Sequence, residues 1–317
     1  MNDLNCNRND NEVLPLISIQ DEFSALTQVI IGLGSPYQQD KRQAAIEMAQ
    51  FPLVPDTARK PEVLALTYPT EEILTGEYTD YVNTLEKYGV EVLFADPEAA
   101  YSFDYTCPRD IGFVIGDIFF AANMAVPSRV DEIKTVQHHL EHIESAKVLR
   151  PPDGGLLEGG DVVVLDANTV LVGYNQRSNY ASYEYLRDYL APLGITVIPV
   201  RHSQLHLDCC LNPLGLGHLL IHPESLQDND ETTWQILKRY AWVEVDAVER
   251  EHLATNILSI NPTTVIARDH PSCNRVNEVL KDLGYTVEAV SFDGVPATGG
   301  SFRCASLPLR RQQPGQI

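Results

Sequence analysis

Apolar residues along the chain recur in short runs separated by turns and followed by a longer stretch with helical periodicity. In one part, the apolar strand Val162–Leu165, the turn Asp166–Asn168 and the strand Thr169–Gly173 precede an amphipathic helix, Tyr180–Leu190, and a further strand, Ile195–Val200. Turns with Asn, Asp or Gly between apolar runs favour hairpins, and Pro or Gly after the periodic stretch is typical of a helix end. The pattern therefore predicts a ββαβ-like unit.

The same unit is predicted five times along the chain. Residues at or near the unit starts follow one another at intervals of 51, 47, 48 and 48 residues: Asp110, Asp161, Asp208, Asn256 and Cys304. The predicted helices cover Pro69–Tyr88, Val130–Glu144, Tyr180–Leu190, Thr232–Tyr240 and Asn274–Leu283. Such a period is typical of circular arrays, whose closure protects the sheet edges. The predicted fold class is thus an α/β propeller with pseudo-fivefold symmetry, and the alternative is an ordinary mixed α/β domain.

The repeat also predicts the domain organisation. Residues 1–20 are expected to form a flexible tail, residues 21–311 a single catalytic domain, and residues 312–317 a short C-terminal tail. In the predicted ring, the segment Ser301–Leu307 lies beside the first unit, and Asp208–Leu214 forms the first strand of the fourth. Residues 35–60 form a polar insertion, and long insertions of this kind often act as lids.

Charge and cysteine content narrow the classes of partner. The chain of 317 residues has 23 basic and 44 acidic residues, a net charge of −21, which disfavours nucleic acids and anionic membranes. It contains no apolar run of the roughly 20 residues that a membrane span needs. The N-terminus does not resemble a signal peptide, and the six cysteines show no CxxC pairing. These features indicate a cytoplasmic protein with free thiols, and a homo-oligomer remains compatible with them.

Cys304 and His206 are the candidate reactive residues. Two glycines precede Cys304, and the neighbouring Arg303 can stabilise a thiolate, although a buried cysteine is more often a small apolar residue. His206 stands two positions before Asp208, so that in a strand both side chains share one face. A histidine beside a carboxylate suits general acid–base catalysis, although a surface histidine next to an aspartate is the simpler interpretation.

Further carboxylates stand in similar local contexts. Glu158 and Asp161 flank two glycines before a buried strand, where they could bind a cation or cap the turn. Asp110 also precedes a buried strand, and Arg109 is its alternative salt-bridge partner. Grouped carboxylates repel one another, and this repulsion is relieved by a cationic ligand. A planar guanidinium matches carboxylates through paired hydrogen bonds, so the inferred substrate is a guanidinium compound attacked by the cysteine.

Several motifs resemble those of the guanidino-group-modifying enzymes of the pentein fold, which include arginine deiminases, dimethylarginine dimethylaminohydrolases and amidinotransferases. The similarity runs from about Glu22 to Arg311. The motifs that carry it are EFSALTQVIIGLG, CPRDIGFVIGD, LEGGDVVVL, NQRSN, HLDCCLNPLG and GGSFRCASLPLRR, in that order. Their joint order and spacing identify the chain as a member of this superfamily.

The resemblance implies a role for each matched residue. Cys304 is implied as the nucleophile, His206 as the acid–base and Glu158 as the partner of the histidine. Asp110 and Asp208 are implied as guanidinium ligands. Arg177 is implied as a ligand of a substrate carboxylate. Apart from the resemblance, Arg129 is a further candidate for that role, and Asp104, six residues before Asp110, is a candidate substrate contact. Neither a metal nor an organic cofactor is expected.

Within the superfamily, the residues favour a hydrolase of arginine or a close derivative, similar to arginine deiminase. Glu158 resembles the hydrolases, and Asp208 resembles the deiminases and amidinotransferases more than the methylarginine hydrolases. The alternatives are an amidinotransferase with arginine as donor and a dimethylarginine dimethylaminohydrolase. The alternative outside enzymology is a binding protein of the same fold, although the joint presence of Cys304, His206 and the carboxylates disfavours it.

Overall fold

The computed structural model describes residues 17–35, 46, 69–100, 105–144 and 147–312. In these ranges the chain forms five sheets of three strands each. The strands are β1 Ala25–Ile31, β2 Glu91–Phe94, β3 Gly112–Ile115, β4 Ile118–Ala121, β5 Val148–Leu149, β6 Val162–Asp166, β7 Thr169–Tyr174, β8 Thr196–Arg201, β9 Leu211–Pro213, β10 His218–Ile221, β11 Ala241–Glu244, β12 Leu258–Asn261, β13 Thr264–Arg268, β14 Thr286–Val290 and β15 Ser306–Gln312. The helices are α1 Glu71–Lys87, α2 Gln137–Leu140, α3 Tyr180–Leu190, α4 Glu231–Leu237, α5 Ala247–Glu251, α6 Asn274–Asp282 and α7 Gly294–Ala297.

Every sheet repeats one topology. Its middle strand pairs antiparallel with one neighbour and parallel with the other, as β7 does with β6 and β8. In the first sheet the antiparallel partner of β1 is β15, from the other end of the described chain, with Ile30 opposite Leu307. The middle strands are buried on both faces, as Val170, Leu171 and Val172 illustrate with no exposed surface. Continuous apolar runs of this kind are expected for strands covered on both sides.

Contacts between neighbouring sheets run around a complete ring. Strand β15 packs against β3, the turns that precede β3 and β6 touch, β6 packs against β9, and β1 packs against β12. Leu220 of β10 and Val265 of β13 share one apolar cluster, which joins the fourth sheet to the fifth. The predicted propeller of five ββαβ-like units is confirmed. No helix in the described residues is long and apolar enough to cross a membrane.

Three predicted elements differ from the structure. The helix predicted over Val130–Glu144 consists of a 3₁₀ segment, Glu132–Val136, followed by the short α2. Its β-branched residues disfavour an α-helix, and the side chains of Arg129 and Glu132 pair three residues apart. The segment Asp208–Leu214 begins as a 3₁₀ turn, Leu207–Cys209, before β9. The closing strand starts at Ser306, since residues 302–305 form turns.

The domain limits remain predictions, although the N-terminal residues that the structure describes pack into the ring. Ile17 and Ile19 are buried, and the Ile19 N–H donates to the Gly116 carbonyl at 2.8 Å. Residues 36–45 and 47–60 of the predicted lid lie outside the described residues, as does Asp104.

Candidate active site

Three short 3₁₀ turns bring the acidic motifs together at the start of the second, third and fourth units. They are Pro108–Ile111, Gly159–Asp161 and Leu207–Cys209, and each leads directly or within two residues into a buried strand. The middle turn touches each of the other two. The two glycines of the middle turn permit this contact. A Cβ added to Gly159 would lie 2.1 Å from the Arg109 carbonyl oxygen, and one added to Gly160 would lie 2.6 Å from the His206 ring.

His206 is buried between two carboxylates. Its Nε2 lies 2.8 Å from Glu158 Oε2, and its Nδ1 lies 3.5 Å from Asp110 Oδ1. Burial disfavours a charged ring, but the carboxylates of Asp110 and Glu158 outweigh it and raise the pKa of His206 to about 10. The imidazole is therefore protonated at neutral pH and holds a proton that it can donate. Its carboxylate partners come from other units: Glu158, the partner that the resemblance implied, and Asp110. His206 and Asp208 do not share a strand, because residues 207–209 form a 3₁₀ turn.

Glu158 is fully buried and is held by several donors. Its Oε2 accepts hydrogen bonds from Arg177 Nη1 at 3.0 Å and from His206, and its Oε1 accepts from the Ala125 N–H at 2.9 Å. Burial alone would raise the pKa of the carboxyl, but Arg177 and His206 lower it to about 2. The carboxylate thus stays ionised, orients the imidazole and stabilises its positive charge.

Asp110 is hydrogen-bonded at one carboxylate oxygen, while the other forms only the 3.5 Å ion pair with His206. Its Oδ2 accepts from Arg129 Nη1 at 2.8 Å, and Arg129 in turn binds Glu132. The Oδ1 atom has no hydrogen-bond donor among the described residues. The alternative pairing of Asp110 with Arg109 is wrong, since the Arg109 guanidinium lies 3.8 Å from Glu22 instead. One buried carboxylate oxygen is thus available to a ligand that carries N–H donors.

Cys304 is buried beside Asp208, with Sγ at 3.7 and 3.8 Å from the two carboxylate oxygens. The pKa of the thiol is raised well above its ordinary value by the Cys209 thiol, by burial and by the Asp208 carboxylate. Burial also raises the pKa of Asp208, an effect to which Asp110 adds. An arriving cation would relieve both effects. We call Asp110, Glu158, His206, Asp208 and Cys304 the reactive cluster.

A second group of charges lies next to Cys304. Arg303 donates from Nη1 and Nη2 to the two carboxylate oxygens of Glu22, at 2.7 and 2.9 Å. Arg109 and Arg311 also act on Glu22, and the three arginines outweigh the effect of burial and lower its pKa to about 2. All four side chains are buried. We call Glu22, Arg109, Arg303 and Arg311 the structural ion cluster, because both oxygens of its one carboxylate accept hydrogen bonds within the protein.

The structure brings five of the predicted site residues together in the reactive cluster, while their roles remain predictions. Arg177 and Arg129 lie at its edge and form ion pairs with Glu158 and Asp110. Asp161 caps a turn, because its Oδ1 accepts from the Leu207 N–H at 2.9 Å.

The interpretation of the sequence missed Asn256 and Cys209. Asn256 lies on the 48-residue period that marked the other positions, and its amide contacts the Cys304 sulfur at 3.2 Å. Cys209 stands directly after Asp208, in a motif that had already been singled out. The period and the motif were therefore the signals that could have identified them.

Among the described residues, two sets of three donor atoms lie within 4.8 Å of one another: Asp208 with Cys209 and Cys304, and Asp110 with Glu158 and His206. Both sets are parts of the site already described.

Comparison with known proteins supports the assignment. The family described as "N,N dimethylarginine dimethylhydrolase, eukaryotic" matches residues 66–311. The chain is 31% identical over 240 residues to the uncharacterized protein YkgA of Bacillus subtilis, covering 74% of this chain and 79% of that protein. It is 25% identical to an arginine deiminase of Listeria monocytogenes, covering 64% of this chain and 60% of the relative. The amidinotransferase SxtG of Microseira wollei superposes with a TM-score of 0.75 at 21% identity, covering 95% of this chain and 99% of SxtG.

The fold, the site and these similarities together define an enzyme of the pentein superfamily, which modifies guanidino groups. Within it, the chain belongs to the N,N dimethylarginine dimethylhydrolase family. The membership that the sequence motifs predicted is confirmed.

Proposed function

We propose that the protein is a cysteine-dependent hydrolase of the guanidinium group of arginine or a close derivative. The observation that carries this proposal is the composition of the reactive cluster. A thiol lies against one buried carboxylate, Asp208, and a protonated imidazole lies between two others, Asp110 and Glu158. A nucleophile, a proton donor and acceptors for a planar cation thus stand in one buried site.

The first chemical step follows from these charges. A bound guanidinium donates N–H groups to Asp110 and Asp208, and its positive charge favours the thiolate of Cys304. The sulfur attacks the guanidinium carbon, and a C–S bond forms. His206 donates its proton to the departing nitrogen, and the C–N bond breaks. Ammonia leaves when that nitrogen is a terminal one, and an alkylthiouronium cation stays on Cys304.

Water completes the turnover. The neutral imidazole of His206 now accepts a proton from water, and the hydroxide adds to the thiouronium carbon. The C–S bond then breaks, so that a ureido product and the free cysteine are released. For arginine the products are citrulline and ammonia. Glu158 keeps the imidazole oriented and stabilises its charge throughout.

N-methylated arginine is a second candidate substrate. The family match over residues 66–311 favours it, whereas the two carboxylates facing the substrate site favour an unsubstituted guanidinium with its full set of donors. Arg177 is proposed to contact the α-carboxylate of either substrate at the same time as Glu158, because a guanidinium has five N–H donors. Turnover of arginine but not of agmatine would support this role.

Product analysis tests the proposal. Purified protein is incubated with arginine, with arginine plus glycine or lysine, and with asymmetric dimethylarginine. Citrulline and ammonia from arginine alone are expected. Citrulline and dimethylamine from the methylated substrate only would move the assignment to the second candidate. Ornithine that appears only with an acceptor amine would replace the hydrolase with an amidinotransferase, and ornithine with ammonia and no acceptor would indicate a dihydrolase.

A further inference from the structure

Asn256 is a fully buried side chain in the segment before β12, and it contacts the nucleophile directly. Its Nδ2 donates to Cys304 Sγ at 3.2 Å and to the Asp208 carbonyl at 3.3 Å. Its Oδ1 accepts from the backbone N–H groups of Ser301 and Cys304, both at 3.1 Å. One amide thus contacts both the backbone and the sulfur of the residue proposed as nucleophile.

The backbone contacts determine which way the amide faces. The N–H groups of Ser301 and Cys304 are donors, so the atom they meet must be the amide oxygen. The NH₂ group must then face the sulfur and the Asp208 carbonyl. The N–H···S contact therefore follows from the hydrogen-bond network and does not depend on an arbitrary choice between oxygen and nitrogen.

We propose that Asn256 is a positioning residue for Cys304. Its N–H group stabilises the thiolate, and its oxygen binds the backbone N–H groups of Ser301 and Cys304, so that the position of the sulfur is fixed. The role rests on the proposed function in so far as Cys304 is the nucleophile. An N–H donor favours the charged form of the sulfur. Burial, Cys209 and Asp208 act in the opposite direction. Asn256 therefore offsets part of a local environment that disfavours the reactive form.

Asn212 provides a matched control. It is equally buried and donates from Nδ2 to the Thr255 and Ile257 carbonyls, at 2.9 and 2.8 Å. It thus supports the same segment as Asn256 but makes no hydrogen bond to Cys304. A variant at this position reports the structural cost of losing a buried amide, without the contact to sulfur.

The test follows thiolate formation by absorbance at 240 nm between pH 6 and 11, as the difference from Cys304→Ser. The charged or titratable groups that act on Cys304 are kept in every variant: Asp110, Asp208, Cys209, Arg109 and Arg303. Asn256→Ala should move the midpoint for Cys304 upward by about one pH unit, equal to a tenfold loss of thiolate. Asn212→Ala should leave it unchanged. An unchanged midpoint in folded Asn256→Ala would overturn the proposal.

A second variant covers the case in which Asn256→Ala does not fold. Asn256→Leu keeps about the same shape and adds no charge but removes the N–H donor, so a folded variant, checked by its circular dichroism spectrum, should still raise the midpoint. A midpoint at or below that of the wild type would contradict the inferred role. Because the titration needs no substrate, it gives an answer even if no guanidino compound is turned over. With a substrate in hand, kcat should fall about tenfold in Asn256→Ala with little change in KM.

Discussion

The structural ion cluster and the reactive cluster are both buried and are neighbours, since Arg303 Nε lies 3.4 Å from Asp208 Oδ2, but their carboxylates are satisfied differently. Both oxygens of Glu22 accept hydrogen bonds from Arg303, and Glu22 also accepts one from the Val164 N–H at 3.2 Å. Asp110 has one oxygen without a hydrogen-bond donor in the described part of the chain, and Asp208 lies against the Cys304 thiol. Buried charges that are paired within the protein stabilise one geometry, whereas those left partly unpaired create a demand for a ligand.

The difference gives a physical criterion for the site. Both clusters contain buried carboxylates and arginines lie beside both, so the presence of charge alone does not separate them. They differ in the number of carboxylate oxygens that have no donor, since a guanidinium ligand can enter only where such oxygens remain available. The reactive cluster is therefore the proposed ligand site, and the structural ion cluster lies beside it.

The largest expected effect is the loss of activity in Cys304→Ser. Because the serine hydroxyl is a far weaker nucleophile than a thiolate, the hydrolysis rate should fall roughly 10⁴-fold or more. The matched control is Cys273→Ser. Cys273 is another buried thiol, and it lies in the apolar cluster that joins the fourth sheet to the fifth. Steady-state rates of citrulline formation measure both. Activity within tenfold of the wild type in Cys304→Ser would remove this residue from its proposed role.

Glu22→Gln should be the most destabilising change at the structural ion cluster. The substitution keeps the shape but removes the carboxylate to which Arg303 donates two hydrogen bonds, so that Asp208, at 3.4 Å, is its remaining ion-pair partner. Loss of one partner of a buried ion pair costs about 3–5 kcal/mol in comparable cases. Chemical denaturation measures the free energy of unfolding. The folded fraction should keep a substantial part of its activity per molecule. A variant that is fully stable but inactive would assign Glu22 to the chemistry and break the comparison.

Glu158→Gln should lower the activity by about 10²–10³-fold, because the imidazolium loses a carboxylate partner. The pKa of His206, about 10 in the intact site, should fall, since Glu158 raises it. Nitrogen NMR of labelled histidine follows this titration. Glu249→Gln is the control, because Glu249 is buried and paired with Arg275 outside the site. An unchanged histidine titration in Glu158→Gln would contradict the assigned pairing.

The smallest expected effect is a change in how steeply the free energy of unfolding depends on pH. The pKa of Glu22 is lowered from 4.5 to about 2, so its contribution is fully present above pH 4.5 and is lost as the pH falls through 2. The wild type should therefore lose stability gradually over this range. Glu22→Gln should show a shallower decline when both are unfolded with urea at several pH values. Parallel declines would mean that Glu22 does not contribute.

The sequence predicted the repeat and the main site residues, because both are local patterns. Two apolar runs around a short turn specify a hairpin whatever surrounds them, and motifs such as LEGGD and HLDCC carry their residues with them. The partners of those residues are not local. Glu158 meets His206 across 48 positions, a pair that only the resemblance implied. Arg303 meets Glu22 across 281 positions, and no sequence pattern indicated that pair.

The local backbone conformation at the site also could not be predicted from the pattern of apolar residues. The segment after His206 alternates like a strand, yet it turns as a 3₁₀ helix because the Leu207 N–H is bonded to Asp161 of the preceding unit. Similarly, the sequence around Lys134 predicted a helix but did not indicate that Arg129 would form an ion pair with Asp110. In each case a tertiary contact overrides the local preference.

Pairing of β15 with β1 has a consequence for the timing of activity. Cys304 stands two residues before β15, whose partner β1 is the first strand of the described chain. On the ribosome, the acidic turns and His206 emerge before Cys304 and β15. A chain in which β15 has not yet paired with β1 therefore holds the acidic turns and the histidine without the thiol in place, and the complete cluster forms only when the first sheet closes.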